Sequence, residues 1–82
     1  MAQEPHFNPR VLDRIKYEAG IHKWNDLAIL LGVSYTKLKN WREGKSTPSF
    51  AETILMSYRF RIPIQDMTVE TYEEILEMAK AA

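Results

Sequence analysis

The sequence predicts an all-α fold, a compact bundle of about five short helices. Three observations lead there. Apolar residues recur at intervals of three and four along most of the chain. Helix-starting and helix-stopping residues punctuate it: Asn8-Pro9, Gly20, Gly32, Ser34, Gly44 and Ser49. No stretch alternates apolar and polar residues for long, and no Asn-Gly or Asp-Gly hairpin turn occurs.

Asn8-Pro9 reads as an N-cap followed by proline at the first helical position, where its missing N–H costs nothing. Val11, Leu12, Ile15 and Ala19 then keep helical spacing up to Gly20, which places the first helix at 9–19. The second covers 24–31, with Leu27, Ala28, Leu30 and Leu31 on its buried side and Asn25 and Asp26 in its first turn. Gly32 ends it. Ser34 caps a third helix over 35–42, anchored inward by Leu38 and Trp41 and stopped by Gly44.

After the Lys45-Ser46-Thr47-Pro48 turn, Ser49-Phe50-Ala51-Glu52 spells a capping box. It opens a fourth helix running to Phe60, with Phe50, Ile54, Leu55 and Tyr58 as the expected core face. Pro63 blocks its continuation. Thr68 or Thr71 opens a last helix to Lys80, Thr71-Tyr72-Glu73-Glu74 being itself a capping box.

At 82 residues, 45% apolar and 27% charged, the chain suits one small globular domain. The absence of cysteine excludes disulfides, thiolate metal sites and cysteine nucleophiles. The longest apolar run, Leu27 to Leu31, is far short of the roughly 20 residues of a membrane span. Residues 1–5 lack the basic-then-apolar pattern of a signal peptide. A cytoplasmic protein with no membrane association is expected.

Net charge is zero, but its distribution is uneven. Residues 35–61 carry six basic against two acidic side chains, and residues 62–82 one basic against five acidic. A basic middle suits an anionic partner; a mixed solvated surface is the plainer alternative.

The informative stretch is Trp24 to Gly44. Two short helices flank Gly32-Val33-Ser34, a connection suited to a steep helix crossing. Leu27, Ala28, Leu30, Val33, Leu38 and Trp41 would wedge the pair together. The outer face of the second helix would then carry Tyr35, Thr36, Lys39 and Asn40, with Lys37 at its side. Such side chains can donate to or accept from base edges.

The run Leu27-Ala28-x-x-Leu31-Gly32-Val33-Ser34-x-x-x-Leu38-x-x-Trp41-x-x-Gly44-Lys45-x-x-Pro48 resembles the lambda-repressor-like (Cro/Xre-type) helix-turn-helix domain of phage repressors, their bacterial relatives and many antitoxins. The likeness covers about 11–62 and implies a DNA-binding domain over 9–67, preceded by a flexible arm, 1–8. The acidic helix in 68–82 lies outside the shared pattern. Tyr35, Thr36 and Asn40 match family positions that reach bases in the major groove, and Lys39 positions that touch flanking bases or phosphates. Phosphate contacts are expected of Lys23, Trp24, Ser34, Lys37, Arg42 and Lys45. Two positions depart from the family. Trp24 stands where many members have a phosphate-binding glutamine, and Lys23 replaces the usual Ser or Thr cap.

Each site residue has a plainer reading beside the functional one. Tyr35 is a base contact or an accidental exposure, Lys37 and Lys39 are contacts or solvated charges, and Trp24 is a contact or partial core. Trp41 is expected as buried packing. His22 is expected to pair with Asp26 and not to bind metal. No cofactor or metal is implied. The hydrolase, metalloprotease and phosphate-loop motifs are absent, so no enzyme is expected.

One recognition helix meets few base pairs, so two copies on a palindrome are expected. Val69, Tyr72, Leu76 and Ala79 form one stripe of the last helix, and Ile75 and Met78 extend a second. A homodimer interface over Val69, Tyr72, Ile75, Leu76 and Ala79 is one reading; internal use of both stripes is the other. The expected function is a sequence-specific transcriptional regulator, a phage-type repressor binding double-stranded DNA as a homodimer. The competing reading is a protein-binding module of the same fold, an antitoxin or antirepressor, meeting its partner at the acidic helix.

Overall fold

A computed structural model describes residues 4–81. Five α-helices account for most of them: α1 (Arg10–Glu18), α2 (Trp24–Leu31), α3 (Tyr35–Glu43), α4 (Phe50–Phe60) and α5 (Tyr72–Ala81). A short 3-10 helix, Ile64–Met67, separates the last two. Among the described residues there is no β-sheet; one antiparallel bridge joins Phe7 and Thr68. Among the described residues no helix is long and apolar enough to cross a membrane.

α2, α3, α4 and α5 are bounded where the punctuation placed them, for local reasons. α1 instead starts at Arg10 with Pro9 at its N-cap and no side-chain cap, so Asn8 does not cap it. Ser34 Oγ accepts the Lys37 backbone N–H at 3.1 Å and so caps α3. Ser49 and Glu52 exchange hydrogen bonds of 3.1 and 2.9 Å, the reciprocal box that opens α4. Thr71 and Glu74 do the same for α5. After α2, Gly32 sits at φ 73°, and the Val33 N–H reaches back to the Ala28 carbonyl at 3.0 Å. After α3, Gly44 at φ 75° sends the Lys45 N–H to the Asn40 carbonyl at 2.9 Å. Both are left-handed closures that satisfy carbonyls left over by the helix. The same closure ends α4 at Arg61, where φ is 54° on a residue that is not glycine.

The chain divides into two units, each with its own contacts. The first, Pro9–Pro48, holds α1, α2 and α3. Val11, Leu12, Ile15, Leu27, Ala28, Leu38 and Trp41 are its buried apolar residues, and α2 packs on α3. Ala28 is buried and Val33 half-buried.

The second unit joins the N-terminal residues through Asn8 to Ser49 and onward. Met56, Ile62 and Met67 are its buried apolar residues, and α4 contacts the 3-10 helix. The division differs from the expected arm, domain and tail. Residues 1–3 of the expected arm lie outside the described residues. His6 to Asn8, however, pair with residues 67–70. The Asn8 N–H donates to the Met67 carbonyl and the Val69 N–H to the His6 carbonyl, both at 2.9 Å. The His6 backbone N–H and ring Nδ1 both engage the Glu70 carboxylate, at 2.8 and 2.5 Å. Backbone groups that find partners do not stay free, and the sequence carries no local signal for so distant a pairing.

α4 and the start of α5 also differ from the expected pattern. The α4 face made of Phe50, Leu55 and Tyr58 points outward: Phe50 is 83% and Tyr58 80% exposed, while Met56 is the buried residue. And α5 starts at Tyr72, so Val69 lies in the bend before it and not in the helical stripe.

Candidate nucleic-acid interface

The Pro9–Pro48 unit holds eight basic and four acidic residues, and the remainder three basic and seven acidic. The structural division therefore splits a neutral chain into two parts of net +4 and −4. All ten residues expected to touch DNA belong to the positive unit.

α3 sorts its side chains by the helical period. Leu38 and Trp41 are buried, Trp41 to 2%. Tyr35, Thr36 and Lys39 are exposed, Tyr35 to 46%, and Asn40 is half-buried. At about 100° per residue these four fall within about 140° of helix surface, opposite the buried pair. Asn40 also accepts two backbone N–H groups of the following loop on its carbonyl, from Lys45 at 2.9 Å and Ser46 at 3.4 Å. The loop after α3 is thus tied to the residue expected to read a base.

The cations around this face have assigned positions. The Lys37 ammonium stands 5.5 Å from the Trp41 ring centroid, held along the helix from which both project. The Lys45 Nζ pairs with Glu43 Oε2 at 3.2 Å, both side chains being solvated. Lys23 is exposed at the N-cap of α2, where no side chain caps the helix. Ser34 uses its oxygen as the α3 cap and retains its hydroxyl proton for donation.

Trp24 and Arg42 meet. The Arg42 guanidinium carbon lies 3.6 Å from the Trp24 ring centroid, and the Lys16 ammonium lies 5.1 Å from the same ring. Trp24 is half-buried and Arg42 exposed. The last turns of α1 and α3 are thereby linked to the first residue of α2. Sequence reasoning named Trp24 and Arg42 separately and did not single out Lys16. Its signal was present, a cation in the last turn of a helix that ends six residues before Trp24, but pairing them requires the fold.

No family model matches the chain, and neither a curated protein nor a solved structure matches it.

Proposed function

We propose that the chain is a sequence-specific DNA-binding transcriptional regulator that inserts α3 into the major groove. The observation that carries this reading is the sorting of α3: Tyr35, Thr36 and Lys39 face solvent while Leu38 and Trp41 anchor the helix, all within a unit of net charge +4. The likeness of the 27–48 run to lambda-repressor-like helix-turn-helix domains gives the mode. α2 and the loop after α3 lie along the phosphates, α3 reads base edges, and two copies meet a palindromic operator as a repressor dimer.

Each group has a chemical task. Asn40 can offer a donor and an acceptor to adenine, Lys39 a donor to guanine, and the Tyr35 ring an apolar face to a thymine methyl. The cations supply sequence-independent affinity by displacing counterions.

The test is a titration against random duplex fragments at low and raised salt, followed by selection of the bound pool. The expected result is salt-sensitive binding and enrichment of a palindrome. Asn40→Ala then loses about 1–3 kcal/mol on the selected duplex and relaxes preference at one base pair. Equal losses on random DNA would remove Asn40 from base reading.

A second reading, a protein-binding module, is favoured by one observation. The acidic unit exposes Phe50, Tyr58 and Tyr72, the last to 72%. That reading expects neither salt-sensitive DNA binding nor an enriched palindrome from the same titration.

A further inference from the structure

We propose that Trp24 is a positioning residue: its indole holds the Arg42 guanidinium in place to receive a duplex phosphate, and does not itself touch the nucleic acid. The inference rests on the DNA-binding reading above. A solvated arginine samples many rotamers, and ordering one at an interface opposes binding. Here the guanidinium carbon already sits 3.6 Å from the indole centroid, stacking distance for two flat groups. Stacking leaves the N–H groups at the guanidinium edge available in their plane, the geometry in which arginine engages phosphate oxygens in pairs. The cation also lies in the last turn of α3, where the helix dipole favours it.

Trp24 is suited to the holding role. It is the first residue of α2, half-buried, with its ring also facing the Lys16 ammonium at 5.1 Å. One aromatic ring thus has two like charges near it that would otherwise separate, and the pair of cations suits an anion. Lys23, exposed beside it at the N-cap, adds a third.

The experiment measures binding of the full chain to a mixed-sequence duplex by fluorescence anisotropy over a series of salt concentrations. It compares Trp24→Leu, Trp24→Phe, Arg42→Ala and the Trp24→Leu/Arg42→Ala double variant. Side-chain ¹⁵N relaxation at Arg42 Nε is recorded without DNA. Arg42→Ala is expected to lower the salt slope by about one unit. Trp24→Leu is expected to weaken binding by about two- to fivefold, and to free Arg42 Nε motion in the absence of DNA. Trp24→Phe falls between, and in the Arg42→Ala background Trp24→Leu adds no further loss.

Additive losses in the double variant overturn the proposal, because Trp24 then acts independently of Arg42. So does an unchanged slope in Arg42→Ala, or an Arg42 Nε as mobile in the parent as in Trp24→Leu. Should Trp24→Leu fail to fold, the relaxation data on the parent and Trp24→Phe, with the Arg42→Ala slope, decide alone. Absence of any binding by the parent chain overturns the DNA reading itself and this inference with it. Binding by the parent with any of the three failures above overturns the inference alone.

Discussion

Lys45 and Glu43 hold one another 3.2 Å apart beside the candidate interface, and a phosphate arriving at Lys45 must displace that carboxylate. Exposed pairs of this kind contribute about 0–1 kcal/mol, so on the DNA-binding reading the pair would tune affinity without blocking it. Glu43→Gln is therefore expected to tighten binding to all duplex sequences alike, by up to about fivefold. Lys45→Ala is expected to weaken all sequences alike and to flatten the salt slope by about one unit. Anisotropy titrations at several salt concentrations check both; a Glu43→Gln protein that binds no better places Lys45 away from the DNA. Gly32 acts through stability. Its φ of 73° is left-handed, and a Cβ added there meets nothing within 4 Å, so the penalty of Gly32→Ala is purely conformational. Urea unfolding should show a loss of roughly 1–2 kcal/mol. An unchanged midpoint would mean that the turn between α2 and α3 relaxes without resistance.

Helix ends were legible in the sequence because caps act locally: Ser34, Ser49 and Thr71 bond within three residues of themselves. The sorting of α3 was legible too, because Leu38 and Trp41 are the only apolar residues between Thr36 and Gly44. The face of α4 was not. Seven of its eleven residues are apolar, so its composition does not choose a side. Its partly buried side includes Thr53 and Ser57, which read as solvent residues. Their hydroxyls are satisfied by the chain itself, Thr53 on the Ser49 carbonyl at 2.9 Å and Ser57 on the Ile62 carbonyl at 2.5 Å, so enclosing them leaves no unmet hydrogen bond. The Trp24–Arg42 stack was equally hidden, since it joins residues on different helices. The pairing of 6–8 with 67–70 has a pH signature. Burial pushes the Glu70 carboxyl upward, but hydrogen bonds from the His6 ring and backbone outweigh it and hold the group below its ordinary 4.5. A depressed carboxyl contributes stability above its unfolded pKa and loses it as pH falls through the folded one. Glu70→Gln should thus be less stable than the parent at neutral pH, the difference closing below about pH 4.5, and hydrogen exchange at the Val69 and Asn8 amides should follow. A difference that persists undiminished in acid would show that the Glu70 charge has no part in it.

At the scale of the whole chain, charge and apolar exposure separate between the two units. The Pro9–Pro48 unit is positive, and the other is negative and carries seven of the ten exposed large apolar residues among those described. On the proposed reading, two copies would associate through the negative unit, since negative charge is repelled by DNA and exposed apolar side chains suit a protein partner. The two stripes of α5 differ in the way this requires: Ile75 and Met78 are half-buried, and Tyr72, Leu76 and Ala79 are exposed. The outward face of α4, with Phe50 and Tyr58, is the rival surface. Paired substitutions separate them. Tyr72→Ser with Leu76→Ser is expected to convert a dimer to a monomer in sedimentation equilibrium, whereas Phe50→Ser with Tyr58→Ser leaves the dimer intact. On DNA the α5 variant should keep its affinity for one half-site and lose the gain that two half-sites about one helical turn apart confer, because that gain comes from linking two binding events. If the α4 pair abolishes association and the α5 pair does not, the interface belongs to α4. If the parent chain is monomeric at all concentrations and still favours a palindrome, the two copies are coupled through the DNA alone.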